Sequence, residues 1–497
     1  MTESGSPNWP IEVEVYKEGS GVLRTEYGWF PVSGFTLTSK MLAPCAVEGV
    51  AGDIQCSRHR VWENRAAKTG RQIDLNIIVL RAMESPREPD PLFVLAGGPG
   101  QAPSTLVKFF ATTFSEVRRH RDVVLVDLRG TGKSHPLTCP ELATTRPDGT
   151  VDDDWLPPDG VRRCRERLER DADLRLYTTE IAMADLDEVR AALGYKQINL
   201  YGTSYGTRAA QIYIRDFPQH TRTVTLKGVL PQSVAQPVTH ATDGERAWRM
   251  LVARCHADAA CRSAYPALES DFRSVIGRLE RSPAIVQAKS ADGRAVKLML
   301  TRGIFGEAFR NVLYSPELAA RAPAMVSAFA RGDYSPITQM VYQTRMLTSS
   351  EISAGFYLSV TCTEDVPFID VDRAREEAAG TFGGDYRLQQ QRRACSLWPR
   401  GSLSRVRGQP VTSSVPALLF SGDQDPVAPP ERAEEVAKHL ANGRHVIVSN
   451  NGHAFGSLGE CGQRLIAAFI GAKSAAALDV SCASRIPAVP FVIEKRS

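Results

Sequence analysis

The pentapeptide Gly202-Thr203-Ser204-Tyr205-Gly206 constrains this chain more than any other stretch. The apolar run Ile198-Asn199-Leu200-Tyr201 leads into it, and Arg208-Ala209-Ala210-Gln211-Ile212-Tyr213 follows. The pattern predicts a strand, a sharp turn and a helix, with a serine at the apex. The glycines let strand and helix approach more closely than larger side chains would. Such a turn lifts the Ser204 hydroxyl clear of its own helix and aims the first helical amides at whatever the serine attacks. A five-residue match of this kind is weak by itself, and the plainer reading is a tight turn in an α/β protein. The strand before it and the helix after it favour a nucleophile.

A nucleophilic serine needs a base, and the base needs an orienting acid. Downstream, Val415-Pro416-Ala417-Leu418-Leu419-Phe420 reads as a buried strand ending at Ser421-Gly422-Asp423-Gln424-Asp425-Pro426-Val427. A carboxylate just past the C-terminal end of a strand is well placed for chemistry. The next strand, Arg444-His445-Val446-Ile447-Val448, runs into Ser449-Asn450-Asn451-Gly452-His453-Ala454-Phe455. Asp425 and His453 thus stand in successive loops after the serine, as acid and base. Asp423 competes with Asp425, although a turn-stabilising role suits it equally. His120, His135, His256 and His439 lie at strand flanks, between cysteines or late in a helix, and read as surface or packing residues.

The third element is a donor pair for a developing oxyanion. Pro91-Leu92-Phe93-Val94-Leu95-Ala96 is near-continuously apolar, as central parallel strands are, and opens into Gly97-Gly98-Pro99-Gly100-Gln101. Pro99 has no N–H to give. Gly98 is therefore the expected donor, with the Tyr205 N–H as the second; losing one such donor typically costs about 3 kcal/mol of barrier. The glycines do not match a phosphate loop or a dinucleotide fingerprint. Nor does Asp127-Leu128-Arg129-Gly130-Thr131-Gly132-Lys133-Ser134, where Asp127 and Arg129 are expected to brace each other and the neighbouring loops.

In combination these motifs resemble the α/β-hydrolase peptidases of the proline iminopeptidase and tripeptidyl aminopeptidase type. The match is closer to the larger secreted bacterial tripeptidyl aminopeptidases. Gly97-Gly98-Pro99-Gly100, Asp127 to Gly132, Gly202 to Arg208, Asp425 and Asn451-Gly452-His453 carry the resemblance, which spans residues 35–475. It implies the α/β-hydrolase fold, a triad of Ser204, Asp425 and His453, and Gly98 as an oxyanion donor. One departure is Ala96, where the family usually has a histidine; altered packing beneath the loop is expected there. The resemblance also takes in esterases and leaves the substrate open.

The strand and helix rhythm implies a mostly parallel central sheet. Residues 1–34 read as an extended lead, and Phe35-Thr36-Leu37-Thr38 as a pairing segment. Between residues 236 and 408 the rhythm breaks and helical stretches dominate. Residues 1–235 and 409–497 are then two parts of a hydrolase domain with N- and C-terminal extensions. Residues 236–408 are a large, mainly helical lid inserted between nucleophile and acid. A lid of this kind roofs the serine and excludes water.

Sixty basic residues against fifty-six acidic leave a formal charge of +4. That balance argues against a nucleic-acid partner. No apolar stretch is long enough for a transmembrane segment. Ten cysteines fall into five neighbouring couples: Cys45 and Cys56, Cys139 and Cys164, Cys255 and Cys261, Cys362 and Cys395, Cys461 and Cys482. Five local disulfides are the simplest pairing, and no Cys/His set has zinc spacing. Disulfides point to a periplasmic or secreted protein. The start Met1-Thr2-Glu3-Ser4-Gly5 carries no apolar leader, so a mature form with a new start, or an omitted leader, is expected.

The expected chemistry is acyl transfer to water through a Ser204 ester, without metal or organic cofactor, on a peptide or ester substrate. An aminopeptidase must also recognise a free ammonium, and a partly desolvated lid carboxylate is the simplest recogniser. Cys362-Thr363-Glu364-Asp365 supplies Glu364, with Asp365 beside it, although a solvated acidic turn is an equal reading. A carboxylesterase for bulky or hydrophobic esters is the alternative, with the same triad and no amine site.

Overall fold

The structure is a computed structural model. It describes residues 12–17, 20–25, 28–33, 42–143, 149–290, 293–350, 352–403, 407–454 and 459–494, with backbone only up to residue 33 and at 345–350. Its central element among the described residues is a nine-stranded sheet in the order β14-β13-β10-β9-β7-β8-β6-β5-β4. These strands are β4 (Ala43–Pro44), β5 (Ile54–Trp62), β6 (Gln72–Leu80), β7 (Leu92–Leu95), β8 (Val123–Val126), β9 (Ile198–Thr203), β10 (Thr221–Lys227), β13 (Ala417–Gly422) and β14 (Gly443–Val448). From β8 to β14 every pairing is parallel, while β4, β5 and β6 form an antiparallel edge. The parallel strands β7, β8 and β13 are buried along their whole length, which is why they read as unbroken apolar runs. This is the α/β-hydrolase fold, and all three candidate triad loops leave the C-terminal ends of parallel strands.

Ahead of the sheet, β1 (Glu12–Lys17), β2 (Ser20–Thr25) and β3 (Gly28–Ser33) form a separate antiparallel sheet. The Gly-punctuated lead is therefore built from hairpins rather than simply extended. Phe35 to Thr38 lie outside the described residues.

Two helices frame the nucleophile turn. Thr179–Ala192 begins where the Thr178 side chain accepts from Ile181 N, as an N-cap. Tyr205–Asp216 follows Ser204 and is buried from Tyr205 to Ile214. Beyond β10 the insertion opens with the helix His240–Ala257 and continues through Leu268–Arg281, Arg302–Val312, Ala322–Ala330 and Ser335–Ser350. It also contains a hairpin that helical periodicity did not anticipate, β11 (Ala284–Lys289) with β12 (Ala295–Leu300). Gly293 turns it at φ +82°, and Val151 adds a bridge to Leu298.

The insertion has its own core, where Trp248, Phe272, Phe305, Phe309, Phe329 and Phe382 pack ring against ring, mostly edge-on or tilted, with Phe305 and Phe309 stacked. Its later part behaves differently. The helix Ala354–Glu364 is buried throughout, and Phe356, Leu358, Val360 and Cys362 join the cluster that also holds β9 and the helix after Ser204. That stretch is a structural layer of the body as well as part of the insertion.

Asp127 and Arg129 do not brace each other. Asp127 collects Asn76 Nδ2, Ser104 N, Ser104 Oγ and Lys133 N at 2.7–3.0 Å. Arg129, fully buried, pairs with Asp185 at 2.6 Å and donates to the carbonyls of Glu63 and Leu176. A buried guanidinium requires such full pairing, and Asp185 on the neighbouring helix supplies the charge that Asp127 cannot reach.

Five disulfides join Cys45–Cys56, Cys139–Cys164, Cys255–Cys261, Cys362–Cys395 and Cys461–Cys482. Among the described residues no cysteine is free and no helix is long and apolar enough to cross a membrane. Five disulfides are the pattern of an extracellular protein. The pair Cys362–Cys395 closes a separation of 33 residues between two buried helices. Replacing both cysteines by serine should lower the unfolding free energy by about 3–4 kcal/mol, read as a shifted urea midpoint. An unchanged midpoint would show that packing alone holds these helices.

Candidate active site

Ser204 joins β9 to the helix Tyr205–Asp216 at φ 55° and ψ −123°. A non-glycine residue held there stores strain on the order of 1–3 kcal/mol, so its surroundings must over-determine it. They do. Ser204 N donates to Lys227 O at 2.9 Å, and Ser204 O accepts from Thr207 N at 2.9 Å and Thr207 Oγ1 at 2.6 Å. A Cβ on Gly206 would overlap Leu95 O, and one on Gly202 would overlap Gly206 O. The two glycines of the motif are there because strand, turn and helix touch backbone to backbone.

The glycine loop after β7 runs alongside. A Cβ built on Gly97 would sit 3.3 Å from Ser204 Cβ. Gly98 has φ +109°, and a Cβ there would meet Gly100 N at 2.7 Å, so only glycine is accommodated. Tyr205 occupies the first helical position, where a backbone N–H has no acceptor within the helix. Gly98, next to Gly97 in the loop, and Tyr205, next to Ser204 in the chain, are the candidate donor pair. The insertion holds the loop from outside: Ser353 N donates to Gly100 O at 3.0 Å, and Gln101 bridges to Ile352.

Asp425 and His453 meet at 2.7 Å, Oδ2 to Nδ1. Asp425 is fully buried, and its other oxygen accepts from Val427 N and Ala428 N, both at 2.8 Å. Burial pushes its carboxyl up, but the His453 charge and these donors outweigh burial and leave it below the ordinary carboxylate range. The acid therefore stays ionised. Gly228, at φ +63°, lies under the imidazole; a Cβ there would come within 2.9 Å of His453 Cε1. Since Lys227 O takes the Ser204 N–H, serine and histidine flank the same end of β10. Asp423, the competing acid, has a turn role: its Oδ1 accepts from Asn451 N at 3.1 Å.

Glu364 and Asp365 do not face this site through the contacts that they make. Glu364 accepts from Thr179 N at 2.7 Å and Thr179 Oγ1 at 2.8 Å, and Thr179 Oγ1 in turn meets the Tyr205 hydroxyl at 2.8 Å. Asp365 Oδ1 accepts from Arg208 Nη1 at 2.7 Å, Gln236 N at 3.1 Å and Arg407 Nη2 at 3.2 Å. The acids are spent on a helix N-terminus and a buried guanidinium, both of which need them more than a solvated amine would. Through these contacts both acids brace the helix that follows Ser204.

Sequence reasoning missed two neighbours of the histidine and one buried acid that feels the Asp425 charge. Lys227 Nζ lies 3.2 Å from Ala454 O; burial pushes its ammonium down to about 8, against the pull of Asp425. Tyr314, just beyond the helix Arg302–Val312, has its ring centroid 5.1 Å from that of His453. Asp243, on the first helix of the insertion, is 6% exposed, and burial, with the Asp425 charge adding, raises its carboxyl. The strand-end position of Lys227 was a usable signal; nothing local marks Tyr314 or Asp243.

Residues 90–255 match the family model described as the alpha/beta hydrolase fold, and residues 381–482 match the one described as TAP-like protein. The chain is similar to serine protease Hip1 of Mycobacterium tuberculosis, 27% identical over 386 residues that cover 70% of this chain and 72% of that one. It is also similar to the tripeptidyl aminopeptidase of Streptomyces lividans, 30% identical over 199 residues, 36% of each chain. Among solved structures, proline iminopeptidase from Mycobacterium smegmatis aligns over 84% of this chain and 98% of its own, at 16% identity and TM-score 0.43. With this sheet order, two matching family segments and peptidase relatives, the chain is a serine hydrolase of the α/β-hydrolase fold, similar to the TAP-like peptidases.

Proposed function

We propose that the chain is a secreted or periplasmic aminopeptidase that releases short peptides, of tripeptidyl type, from free N-termini through a Ser204 acyl-enzyme. The observation that carries the proposal is the strained Ser204 at the end of β9, beside the end of β10, with the ionised Asp425 bonded to His453 near the same strand ends. In the first step Ser204 Oγ attacks the scissile carbonyl and His453 Nε2 takes its proton. Asp425 keeps the other ring nitrogen protonated and holds the imidazole in the useful tautomer. The N–H groups of Gly98 and Tyr205 receive the oxyanion. The C–N bond then breaks as His453 returns the proton to the leaving amine. Water, activated by the same histidine, cleaves the ester and releases the acid. The TAP-like match over residues 381–482, which contain both Asp425 and His453, supports the exopeptidase reading.

With Glu364 and Asp365 occupied, the ammonium acceptor falls to another acid of the insertion. Asp243 is the candidate. Its Oδ2 is buried without a hydrogen-bond partner among the described residues, while Oδ1 lies 3.4 Å from Arg432. A carboxyl raised by burial gains from an incoming ammonium.

Ser204→Ala should abolish fluorophosphonate labelling and lower turnover by at least about a thousandfold. Labelling at the wild-type rate would overturn the nucleophile. A panel of free and N-acetylated di- and tripeptide chromogenic substrates, set beside simple esters, tests specificity. Free tripeptides should be preferred, N-acetylation should remove the preference, and Asp243→Asn should weaken it while Glu364→Gln acts on stability. Equal cleavage of blocked peptides and bulky esters, indifferent to Asp243, would instead make the protein an esterase.

Lys227 adds a pH signature. An unfolded lysine titrates near ~10.4, so between about pH 8 and pH 10 the unfolded chain holds more protons than the folded one. Stability contributed at this position therefore rises with pH through that window. The wild-type urea midpoint should climb relative to Lys227→Met; parallel curves would refute the shift.

A further inference from the structure

The insertion reaches the candidate base directly, at Tyr314. The Tyr314 and His453 rings meet edge to face, with planes at 71°. The Tyr314 carbonyl accepts from Ala454 N at 2.9 Å. The Cα of Gly452 lies so close to that carbonyl that a Cβ there would overlap it. Residues 452–454 are thus seated on one residue of the insertion by backbone and ring together.

Tyr314 is itself held. Its hydroxyl accepts from Arg310 Nη1 at 2.9 Å. Arg310 pairs with Glu307 at 2.9 Å, and Glu307 pairs with Arg387 at 3.0 Å. The Arg387 guanidinium stacks 3.7 Å from the centroid of Trp155, which is buried in the body's core. Burial alone would push the Glu307 carboxyl up, but the two guanidiniums carry it below the ordinary range, so the chain of charges is intact. Trp155 in the body therefore leads, through three side chains of the insertion, to the Tyr314 ring that touches His453.

One hydrogen bond to Nδ1 does not fix an imidazole, because the ring can still swing about that bond. Here Gly228 lies against the ring as well as Tyr314, and Lys227 Nζ holds the Ala454 carbonyl at 3.2 Å. The body supplies Gly228, Lys227 and Asp425; the insertion supplies Tyr314.

We propose that Tyr314 is a positioning residue for His453, so that Nε2 is aimed at Ser204 only while the end of the helix Arg302–Val312 is seated on residues 452–454. The proposal rests on His453 acting as the base. It makes the insertion part of the catalytic frame as well as a roof: a displaced insertion leaves the serine without an aimed base.

The test compares Tyr314→Phe, Tyr314→Leu, Gly452→Ala and His453→Ala in the full chain. Labelling rate with a fluorophosphonate is measured along with kcat and KM for a free tripeptide p-nitroanilide, after melting curves establish folding. Tyr314→Phe keeps the ring and the carbonyl and should label at no less than about half the wild-type rate. Tyr314→Leu should slow labelling and kcat about tenfold with KM nearly unchanged, the size expected for losing one aromatic edge contact. Gly452→Ala keeps the Tyr314 side chain but wedges the two backbones apart, and should slow both in the same way. Wild-type labelling by the Leu and Ala variants, with His453→Ala inert, would overturn the role of Tyr314. A loss confined to KM would do so too, by making Tyr314 a substrate contact. Normal labelling by His453→Ala would overturn the triad reading instead.

Discussion

The helix Tyr205–Asp216 meets the end of β7 backbone to backbone, where Gly206 lies against the Leu95 carbonyl. Everything catalytic is referred to that contact. It leaves no room for a side chain at position 206, and the chain reaches it through Ser204 at positive φ. It also brings the glycine loop after β7 beside that serine. The strain at Ser204 is held by Lys227 O, and the residue after Lys227 is the glycine on which His453 rests. Candidate nucleophile, candidate base and candidate oxyanion loop are thereby referenced to three adjacent strands of one stiff sheet. Such a framework suits a site that must hold its groups within a fraction of an ångström.

What the sequence made legible follows from how local each signal is. The buried parallel strands announce themselves because both faces are covered, leaving an apolar run with no alternation. The elbow is legible because backbone contact on both sides demands two glycines. The candidate acid and base stand out because each follows a recognisable strand. By contrast, β11 and β12 are short and half-exposed, so neither a long apolar run nor a strict alternation betrays them.

The acids at 364 and 365 show where reading by residue type fails. A buried acid following a cysteine looks like a ligand group, but which partner claims it is decided by elements far away in the chain. Thr179 and Arg208 lie more than 150 residues from the acids that they engage, and no local pattern links them. The same holds for Tyr314, which meets His453 across 139 residues. Long-range pairing of polar groups is set by the assembled fold, and it is where the functional reading had to be revised.

The five disulfides have a shared property of reach. Their separations are 6, 11, 21, 25 and 33 residues. Each partner becomes available soon after the first as the polypeptide emerges, so oxidation can proceed in order, segment by segment, without waiting for the fold to close. The pairs at 255–261 and 362–395 lie wholly within the insertion, and the other three lie wholly outside it. No disulfide crosses from one to the other. An oxidising environment thus hardens each portion against proteases while the seam between them stays held by reversible contacts, and a passing peptide has only those to displace.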